Sequence, residues 1–344
     1  MWIYLLILLI PVAMSFQPPR RRDRNVALLA FFVLLWVFTG LRHEVGPDWT
    51  GYGYIYQDAV ARAWSDIAGD REPGFFLINK VSEALGWGLY GVNAICAALF
   101  LAGIFKYATR TANPWLATTA VLPFLVFIIS MSGVRQAAAL GIVYILLAQW
   151  DRTSLLRKLF VIMLAATVHN SALFMLLFVL WDGSRYPWLR ITIGLISLFV
   201  AVRILDQSGA TDVYVERYVE ENVESGGAIY HVALSALPAI LFLVFRRQIA
   251  AHGWYTPLIM RASLVAIALV PMILVSSTGT SRLALYVSFV QMWIFPAFVA
   301  AHGRRWESAT GLCVVYFLAI FFVYFTLGSH ASSYVPYGNV LWSR

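Results

Sequence analysis

Charged residues are scarce in this sequence of 344 residues and make up only 12% of it. A soluble domain of this size needs about twice that share to cover its surface. Apolar residues make up 61% of the chain, and the mean hydropathy is +0.75. The sequence therefore predicts an integral membrane protein and excludes a separate soluble catalytic domain.

Cysteine is also rare, and the two cysteines present form no motif. Cys96 and Cys313 lie in apolar runs, with no partner at metal-ligand spacing and no CxxC pair. They are predicted to be small core residues. The sequence has no His/Asp cluster at ligand spacing either, so it predicts neither a metal nor a cofactor.

Basic residues outnumber acidic ones by 25 to 17, which gives a formal net charge of +8. They lie in short clusters between apolar runs. The clusters are Arg20 to Arg24, Lys106/Arg110, Arg152/Arg157/Lys158, Arg185/Arg190, Arg246/Arg247/Arg261 and Arg304/Arg305. This placement is typical of membrane topology, in which positive charge stays on the cytoplasmic side. Nucleic-acid binding, the other common reason for a basic chain, is therefore discarded.

The same clusters predict how the chain crosses the membrane. Placing them all inside requires a break at His169, so that residues 155–181 form a hairpin of two short segments rather than one tilted helix. Both termini then lie outside. Residues 1–344 form a single all-α domain, a polytopic transmembrane helical bundle of about twelve membrane segments. The predicted segments are 1–16, 26–41, 89–107, 114–131, 133–149, the two halves of 155–181, 187–204, 229–245, 262–278, 283–301 and 307–327.

Two loops on the predicted outer side are long and are expected to contain amphipathic helices. The first covers about residues 41–88, and its stretch 74–85 has an aromatic end suited to the membrane interface. The second covers about residues 205–227. It holds six acidic residues against Arg217 and is predicted to contain a short surface helix.

Three arginines at the outer ends of predicted spans are the first candidate site residues. Arg42, Arg135 and Arg282 depart from the positive-inside preference, although a single arginine there could also be a snorkelling headgroup contact. A guanidinium group binds phosphate oxygens through two parallel hydrogen bonds and keeps its charge. Several arginines facing one cavity would therefore hold a diphosphate.

Asp48, Glu72 and His169 are the candidate catalytic residues, each able to accept a proton. Each also has a simpler interpretation: a turn or helix cap for Asp48, a first-turn acid for Glu72, and a core histidine for His169. We place Asp48 first, because it lies between a turn-forming Gly-Pro pair and aromatic residues that could hold a ring-shaped substrate. The arginines should lower its pKa, which would keep it ionised but make it a weaker base.

Short elements in a fixed order along nearly the whole chain carry these residues. They are Arg42, Gly46-Pro47-Asp48-Trp49, Tyr52, Glu72-Pro73-Gly74-Phe75, Arg135-Gln136-Ala137-Ala138-Ala139, Ala165-Ala166-Thr167-Val168-His169-Asn170-Ser171-Ala172, Arg282-Leu283-Ala284-Leu285-Tyr286 and Pro336-Tyr337. In this order they resemble the EpsG-type, or Wzy-like, bacterial polysaccharide polymerases of the polytopic GT-C class. Trp49 stands where that pattern has a tyrosine, which keeps an aromatic face but removes a hydroxyl group.

The resemblance implies a glycosyltransferase at the outer face of the bacterial inner membrane that makes an exopolysaccharide, capsule or O-antigen. Such enzymes are similar in transferring a growing glycan from a polyprenyl-diphosphate carrier to the next lipid-linked sugar unit. The implied partners are the polyprenyl-diphosphate-linked oligosaccharide donor and acceptor, membrane lipids and a chain-length regulator. The implied substrate-binding residues are Arg42, Trp49, Tyr52, Arg135, Gln136, Arg282 and Tyr286.

Two other functional classes remain open. A flippase or anion transporter would also use outward arginines, but the sequence lacks paired Gly/Pro-broken helices in corresponding halves. A membrane O-acyltransferase would use a membrane histidine, but this class gives the three outer arginines no role. The sugar, its linkage, and the choice between a polymer and a single addition are also open.

Overall fold

The computed structural model describes residues 1–17, 21–182 and 228–342, together with 188 and 192. Within these ranges the secondary structure is helical, apart from one isolated antiparallel bridge between Arg42 and Asn339. The predicted all-α class is therefore confirmed. The acidic outer loop at 205–227, and all but two residues of the span at 187–204, lie outside the described residues.

The main α-helices of the described ranges are labelled here in chain order. They are α1 (Trp2–Ser15), α2 (Arg21–Gly40), α3 (Trp49–Ala61), α4 (Pro73–Ala84), α5 (Gly88–Ala108), α6 (Pro114–Val121), α7 (Val134–Leu147), α8 (Leu155–Val168), α9 (Leu176–Asp182), α10 (Ala228–Ala251), α11 (Pro257–Met272), α12 (Ser277–Val287), α13 (Phe289–Ala301) and α14 (Trp306–Leu327). After α6 the chain continues as a π-helix, Leu122–Ile129, and a helical turn, Ser130–Ser132.

Four helices of the described chain are long and apolar enough to cross a membrane, or five if the bent pair α12 and α13 counts as one span. The pair bends by 46°. Other predicted spans are apolar helices of only 10–17 residues. The chain is a multi-pass membrane protein, but the predicted number of about twelve segments is not confirmed. The four long helices are Gly88–Ala108, Pro114–Ser132, Ala228–Ala251 and Gly303–Leu327.

The predicted break at His169 is confirmed. α8 ends at Val168, His169 is extended, and a 3-10 helix, Asn170–Met175, leads into α9. Lys158 in the first turn of α8 forms an ion pair with Asp182 at the end of α9. A straight helix would separate residues 24 positions apart by about 36 Å. The chain therefore turns back at His169 as a hairpin.

Glycine allows α5 and α7 to pack in direct backbone contact. A Cβ added to Gly103 would lie 2.1 Å from the backbone oxygen of Gly141, and one added to Gly141 would lie 2.2 Å from that of Leu99. No side-chain rotation relieves such contacts, because the opposing atoms belong to the backbone. Small residues are typical of close helix packing in membranes. This contact holds the helix that begins at Val134 and carries the candidate Arg135.

Gly141→Ala should therefore destabilise the fold, by about 1–3 kcal/mol for an overpacked site. The measurement is thermal unfolding of the detergent-purified protein. Gly311→Ala is the matched control, since an added Cβ there meets no atom within 4 Å. Equal melting temperatures for the two variants would contradict the close contact.

The predicted outer loop at 41–88 contains more helix than the sequence indicates. The predicted helix at 74–85 is confirmed as α4, which starts at Pro73. α3 was not predicted, because Gly51 and Gly53 lower the helix propensity of its first turns.

The C-terminal residues pack over the start of this loop. The backbone N–H of His43 donates to Gly338 at 3.0 Å, and that of Gly46 donates to Ser333 at 2.8 Å. The hydroxyl of Tyr4 near the N-terminus donates to the backbone oxygen of Tyr334 at 2.9 Å. Both chain ends therefore lie on the same side of the bundle as this loop.

Candidate active site

The carboxylate of Glu72 joins three segments that are far apart in the sequence. Glu72 precedes the first residue of α4, yet its side chain makes no capping hydrogen bond. Its Oε2 accepts a hydrogen bond from Nη1 of Arg135 at 2.7 Å, and its Oε1 lies 2.5 Å from Nδ1 of His169. The backbone N–H of Asn170 also donates to Oε1, at 3.3 Å. The carboxylate therefore fixes α4, the start of α7 and the hairpin tip relative to one another.

The surroundings of Glu72 keep it ionised. Burial alone would raise the pKa of this carboxyl, since the residue is only 8% exposed. The hydrogen bond with His169, the charges of His169 and Arg135, and the N–H of Asn170 outweigh burial and lower the pKa of Glu72 to about 2. Such a carboxylate is a poor proton acceptor. Its position suits it to orient Arg135 and His169 instead.

Gly74 allows α4 to come close enough to the hairpin for this contact. A Cβ added to Gly74 would lie 2.4 Å from Oγ1 of Thr167 and 3.0 Å from the carbonyl carbon of that residue. Thr167 lies two residues before His169. A larger residue at position 74 would push the two helices apart and lengthen the contact between Glu72 and His169.

Arg135 is held in place but keeps donors available. Its guanidinium lies 5.6 Å from the ring centroid of Phe75 and 5.9 Å from that of Tyr52. Its backbone N–H donates to the Tyr52 hydroxyl at 3.4 Å. Nε is buried and has no hydrogen-bond partner within the described part of the chain, whereas the side chain as a whole is 35% exposed. A ligand can therefore reach an arginine whose orientation is already set.

Two further hydrogen bonds bring α12 to the same place. Nε2 of Gln136 donates to the backbone oxygen of Arg282 at 2.9 Å, and the hydroxyl of Ser171 donates to that of Tyr286 at 3.1 Å. Gln136 and Tyr286 are both buried. In the structure each of these two side chains hydrogen-bonds another part of the protein, and their contact with substrate stays a prediction. They position Arg282 and the hairpin tip.

Asp48 lies beside the cluster, at the N-terminus of α3. It occupies the N-cap position, but its side chain makes no capping hydrogen bond, so the simple capping interpretation fails. Displacement of water by the surrounding protein raises the pKa of Asp48, against the charges of His330, Arg135 and Arg282, which lower it. The expectation that the arginines would lower the pKa of Asp48 overall was therefore wrong, because burial raises it by more. The side chain nevertheless remains exposed.

Arg42 does not belong to the cluster. It is 1% exposed, and its guanidinium donates to the backbone oxygens of Thr39, Val45 and Met131 and to Oδ1 of Asn93, at 2.8–3.2 Å. These contacts tie the end of α2 to α5 and to the helical turn Ser130–Ser132. In the structure the donors of Arg42 serve the protein interior, and substrate binding by Arg42 stays a prediction.

A partly exposed aromatic group lies next to Asp48. The ring centroid of Trp49 is 6.1 Å from that of His43 and 5.9 Å from that of Tyr90. Nδ1 of His43 and the Tyr90 hydroxyl are 2.6 Å apart. Trp49 was predicted to stack on a sugar, whereas Tyr90, 41 positions further on, was not recognised because only the fold brings it there.

Two histidines near the arginines were also missed. His330, in the C-terminal segment, lies close enough to Asp48 for its charge to lower the pKa of that carboxyl group. His231 in α10 hydrogen-bonds the hydroxyl of Ser281, the residue before Arg282. The position of His231 near the end of a predicted span was the available signal. In the described part of the chain no three His, Cys, Asp or Glu side chains are grouped to hold a metal ion, and the absence of a cofactor stays a prediction.

No curated protein and no solved structure matches this chain. The sequence model of one family, described as the EpsG family, matches residues 25–339. This range contains Glu72 and every residue that its carboxylate holds together. The shared pattern therefore covers the whole candidate site as well as most of the chain, and the protein belongs to the EpsG family.

Proposed function

We propose that the protein is a polysaccharide polymerase. It transfers glycan from a polyprenyl-diphosphate-linked donor to a sugar hydroxyl of a lipid-linked acceptor. Membership of the EpsG family indicates a polymerase-like role in general terms. The finer proposal is supported chiefly by one observation: the Glu72 carboxylate holds Arg135 and His169 together.

Arg135 and Arg282 are the proposed diphosphate ligands. Arg135 is fixed by Glu72 through Nη1, and its side chain is 35% exposed, so a ligand can reach the guanidinium group. The charges of both arginines lower the pKa of Asp48, so both guanidinium groups lie near its carboxyl group. Oriented, permanently charged donors stabilise a leaving diphosphate without rearranging during the reaction.

Asp48 is the proposed base. It takes the proton of the acceptor hydroxyl, whose oxygen attacks the anomeric carbon of the donor sugar. The bond from that carbon to the diphosphate oxygen breaks, and polyprenyl diphosphate leaves with the electron pair. A raised pKa makes Asp48 a stronger base than an ordinary aspartate. The aromatic group of His43, Trp49 and Tyr90 lies beside it and offers a stacking surface for the acceptor sugar.

His169 is the second candidate base. If Nδ1–H donates to Glu72, then Nε2 carries a lone pair and accepts a proton from the acceptor. Its ring makes no further hydrogen bond to the described residues. Glu72 would then act as the group that orients this histidine, and Asp48 would bind the acceptor sugar.

The proposed location of the site is the outer face of the bacterial inner membrane. Both chain ends lie on the same side as the Asp48 loop. On the opposite side, Asp182 binds Lys158 and Arg261, two of the residues assigned to the cytoplasm by charge. The side with Lys158 and Arg261 is therefore the proposed cytoplasmic side, and the Asp48 side is the proposed outer side.

Elongation in detergent micelles tests the proposed activity. Micelles have no compartments, so a transporter has no measurable activity there, whereas a polymerase lengthens the glycan of an added lipid-diphosphate oligosaccharide. We expect a ladder of longer glycans by gel and mass spectrometry. Absence of the ladder, together with transport of a labelled lipid-linked oligosaccharide in vesicles, would show a flippase. A mass increase of one acyl group would show an acyltransferase.

Asp48→Asn should lower elongation by at least about 100-fold, the usual contribution of a positioned base, while donor binding is retained. Wild-type elongation should fall as the pH drops through the raised pKa of Asp48, because only the ionised carboxylate accepts a proton. Glu72 stays ionised over that range, since its pKa is about 2. The measurement is a pH series of elongation rates with donor binding determined separately.

Asp58→Asn is the matched control, since Asp58 is an exposed acid on the same helix, 3.6 Å from Arg62. It should leave elongation unchanged. If Asp48→Asn elongates normally and His169→Ala abolishes elongation with donor still bound, then His169 is the base.

A further inference from the structure

A pocket whose lining includes two arginines lies at the far end of α5 from the Glu72 cluster. Near the start of α5, Tyr90 contacts Trp49, whereas Arg110 follows its end and lines the pocket. The 21 residues of α5 span about 30 Å. The pocket has a volume of about 190 Å³. It is therefore separate from the candidate active site.

The lining of this pocket favours an anion. Arg110 and Arg152 face it, against one acidic lining residue, Asp151. Thr256 and Leu258 also line it, at the N-terminus of α11. Helix geometry leaves the N–H of Leu258 without an intrahelical acceptor, and the positive end of the helix dipole lies there.

Trp150 provides an independent indication of a ligand. It lines the pocket, is 2% exposed, and its Nε1 is buried with no hydrogen-bond acceptor in the ranges that the structure describes. A buried N–H without an acceptor is costly, and such groups usually have a partner. The ammonium of Lys158 lies 4.4 Å from the Trp150 ring centroid, which adds positive charge on this side. Because Nε1 has no exposed surface in the structure, the ring must move slightly before an oxygen of an anionic ligand completes its hydrogen bonding.

An apolar groove adjoins the pocket. It lies between α2 and α5, has a volume of about 470 Å³, and is lined by Phe32, Trp36, Leu101 and Phe105 among others. Gln149 lines both the groove and the pocket. Lys106, one helical turn before Arg110, also lines the groove. Two arginines in a pocket beside an apolar groove match the two parts of an amphiphile rather than a free ion.

We propose that this pocket binds the phosphate group of an anionic phospholipid, whose acyl chain lies in the groove between α2 and α5. Arg110, Arg152 and the Trp150 N–H bind the phosphate oxygens. The basic residues here are those that charge assigns to the cytoplasmic side, where pockets of this kind bind anionic headgroups.

Thermal unfolding of the full detergent-purified chain tests this site. Dioctanoyl phosphatidylglycerol should raise the melting temperature in a saturable manner. Dioctanoyl phosphatidylcholine should give no comparable increase, because its headgroup carries no net charge. Inorganic phosphate should need at least about tenfold more ligand for half saturation, because it leaves the groove empty. Equal effects of the two lipids would overturn the proposal, and an equal effect of phosphate would overturn the assignment to a lipid.

Two variants locate the binding. Arg152→Gln should raise the half-saturating concentration of phosphatidylglycerol about tenfold, as should Trp150→Phe, which keeps the ring but removes the N–H. Arg304→Gln is the control, because Arg304 is an exposed arginine of another basic cluster, Gly303–Arg305. If Trp150→Phe fails to fold, Arg152→Gln decides alone. Half saturation unchanged by Arg152→Gln, or shifted equally by Arg304→Gln, would refute the site.

Discussion

Glu72→Gln should reduce glycan elongation by about 100-fold or more, since small displacements of reacting groups have effects of this size. The neutral amide keeps the shape of the side chain but removes the charge that binds Arg135 and His169. An amide offers only one oxygen, so at one of the two contacts its NH₂ group would face another hydrogen-bond donor, on Arg135 or His169. Elongation and donor affinity should both fall, as measured with the purified protein.

The matched control is Glu307→Gln, which changes an exposed acid in the first turn of α14. It should elongate normally. Glu72→Asp should recover part of the activity, because it restores the charge with a shorter reach. Full elongation by Glu72→Gln would show that the carboxylate does not organise the site.

Arg135→Lys should also reduce elongation by about 100-fold or more, the order of loss seen when one electrostatic donor to a transition state is removed. The guanidinium donates to Glu72 through one nitrogen, and the side chain is 35% exposed, so phosphate can reach it. Lysine carries the same charge at one point and cannot reproduce this fork. Arg282→Lys should have a similar effect. Donor binding and elongation are measured on the same preparations.

Arg42→Lys gives the contrasting result. Because its guanidinium serves four acceptors inside the protein, this variant should lower the melting temperature clearly, whereas Arg135→Lys should change it little. A stable Arg42→Lys protein with weak donor binding would show that Arg42 binds substrate. An Arg135→Lys protein with normal donor binding and elongation would show that Arg135 is not a diphosphate ligand.

The sequence predicted the site residues one by one better than it predicted their partners. Glu72, Arg135 and His169 were each recognised as polar groups at the ends of apolar runs. The distances of 63 and 97 positions from Glu72 to its two partners carry no information about contact without the fold. The break at His169 was predictable because the placement of basic clusters constrains the whole topology, not one segment.

Other features depended on packing that a linear pattern does not contain. Arg42 and Arg135 occupy equivalent places at the ends of apolar runs, yet one is enclosed by carbonyl oxygens and the other reaches solvent. The sign of the Asp48 pKa shift likewise depends on how much water the fold displaces. α3 and the C-terminal cover over the Asp48 loop were missed for the same reason.

The most direct test of the proposed function is the amount of polyprenyl diphosphate released for each sugar repeat added to the glycan. The measurement uses wild-type protein and Asp48→Asn with a lipid-diphosphate oligosaccharide as both donor and acceptor. Transfer breaks one sugar–diphosphate bond for each glycosidic bond formed, so we expect one carrier released per repeat added by the wild type. Asp48→Asn should bind donor but release almost none. Donor that binds to the wild type and is recovered intact, with no carrier released and no repeat added, would contradict the account.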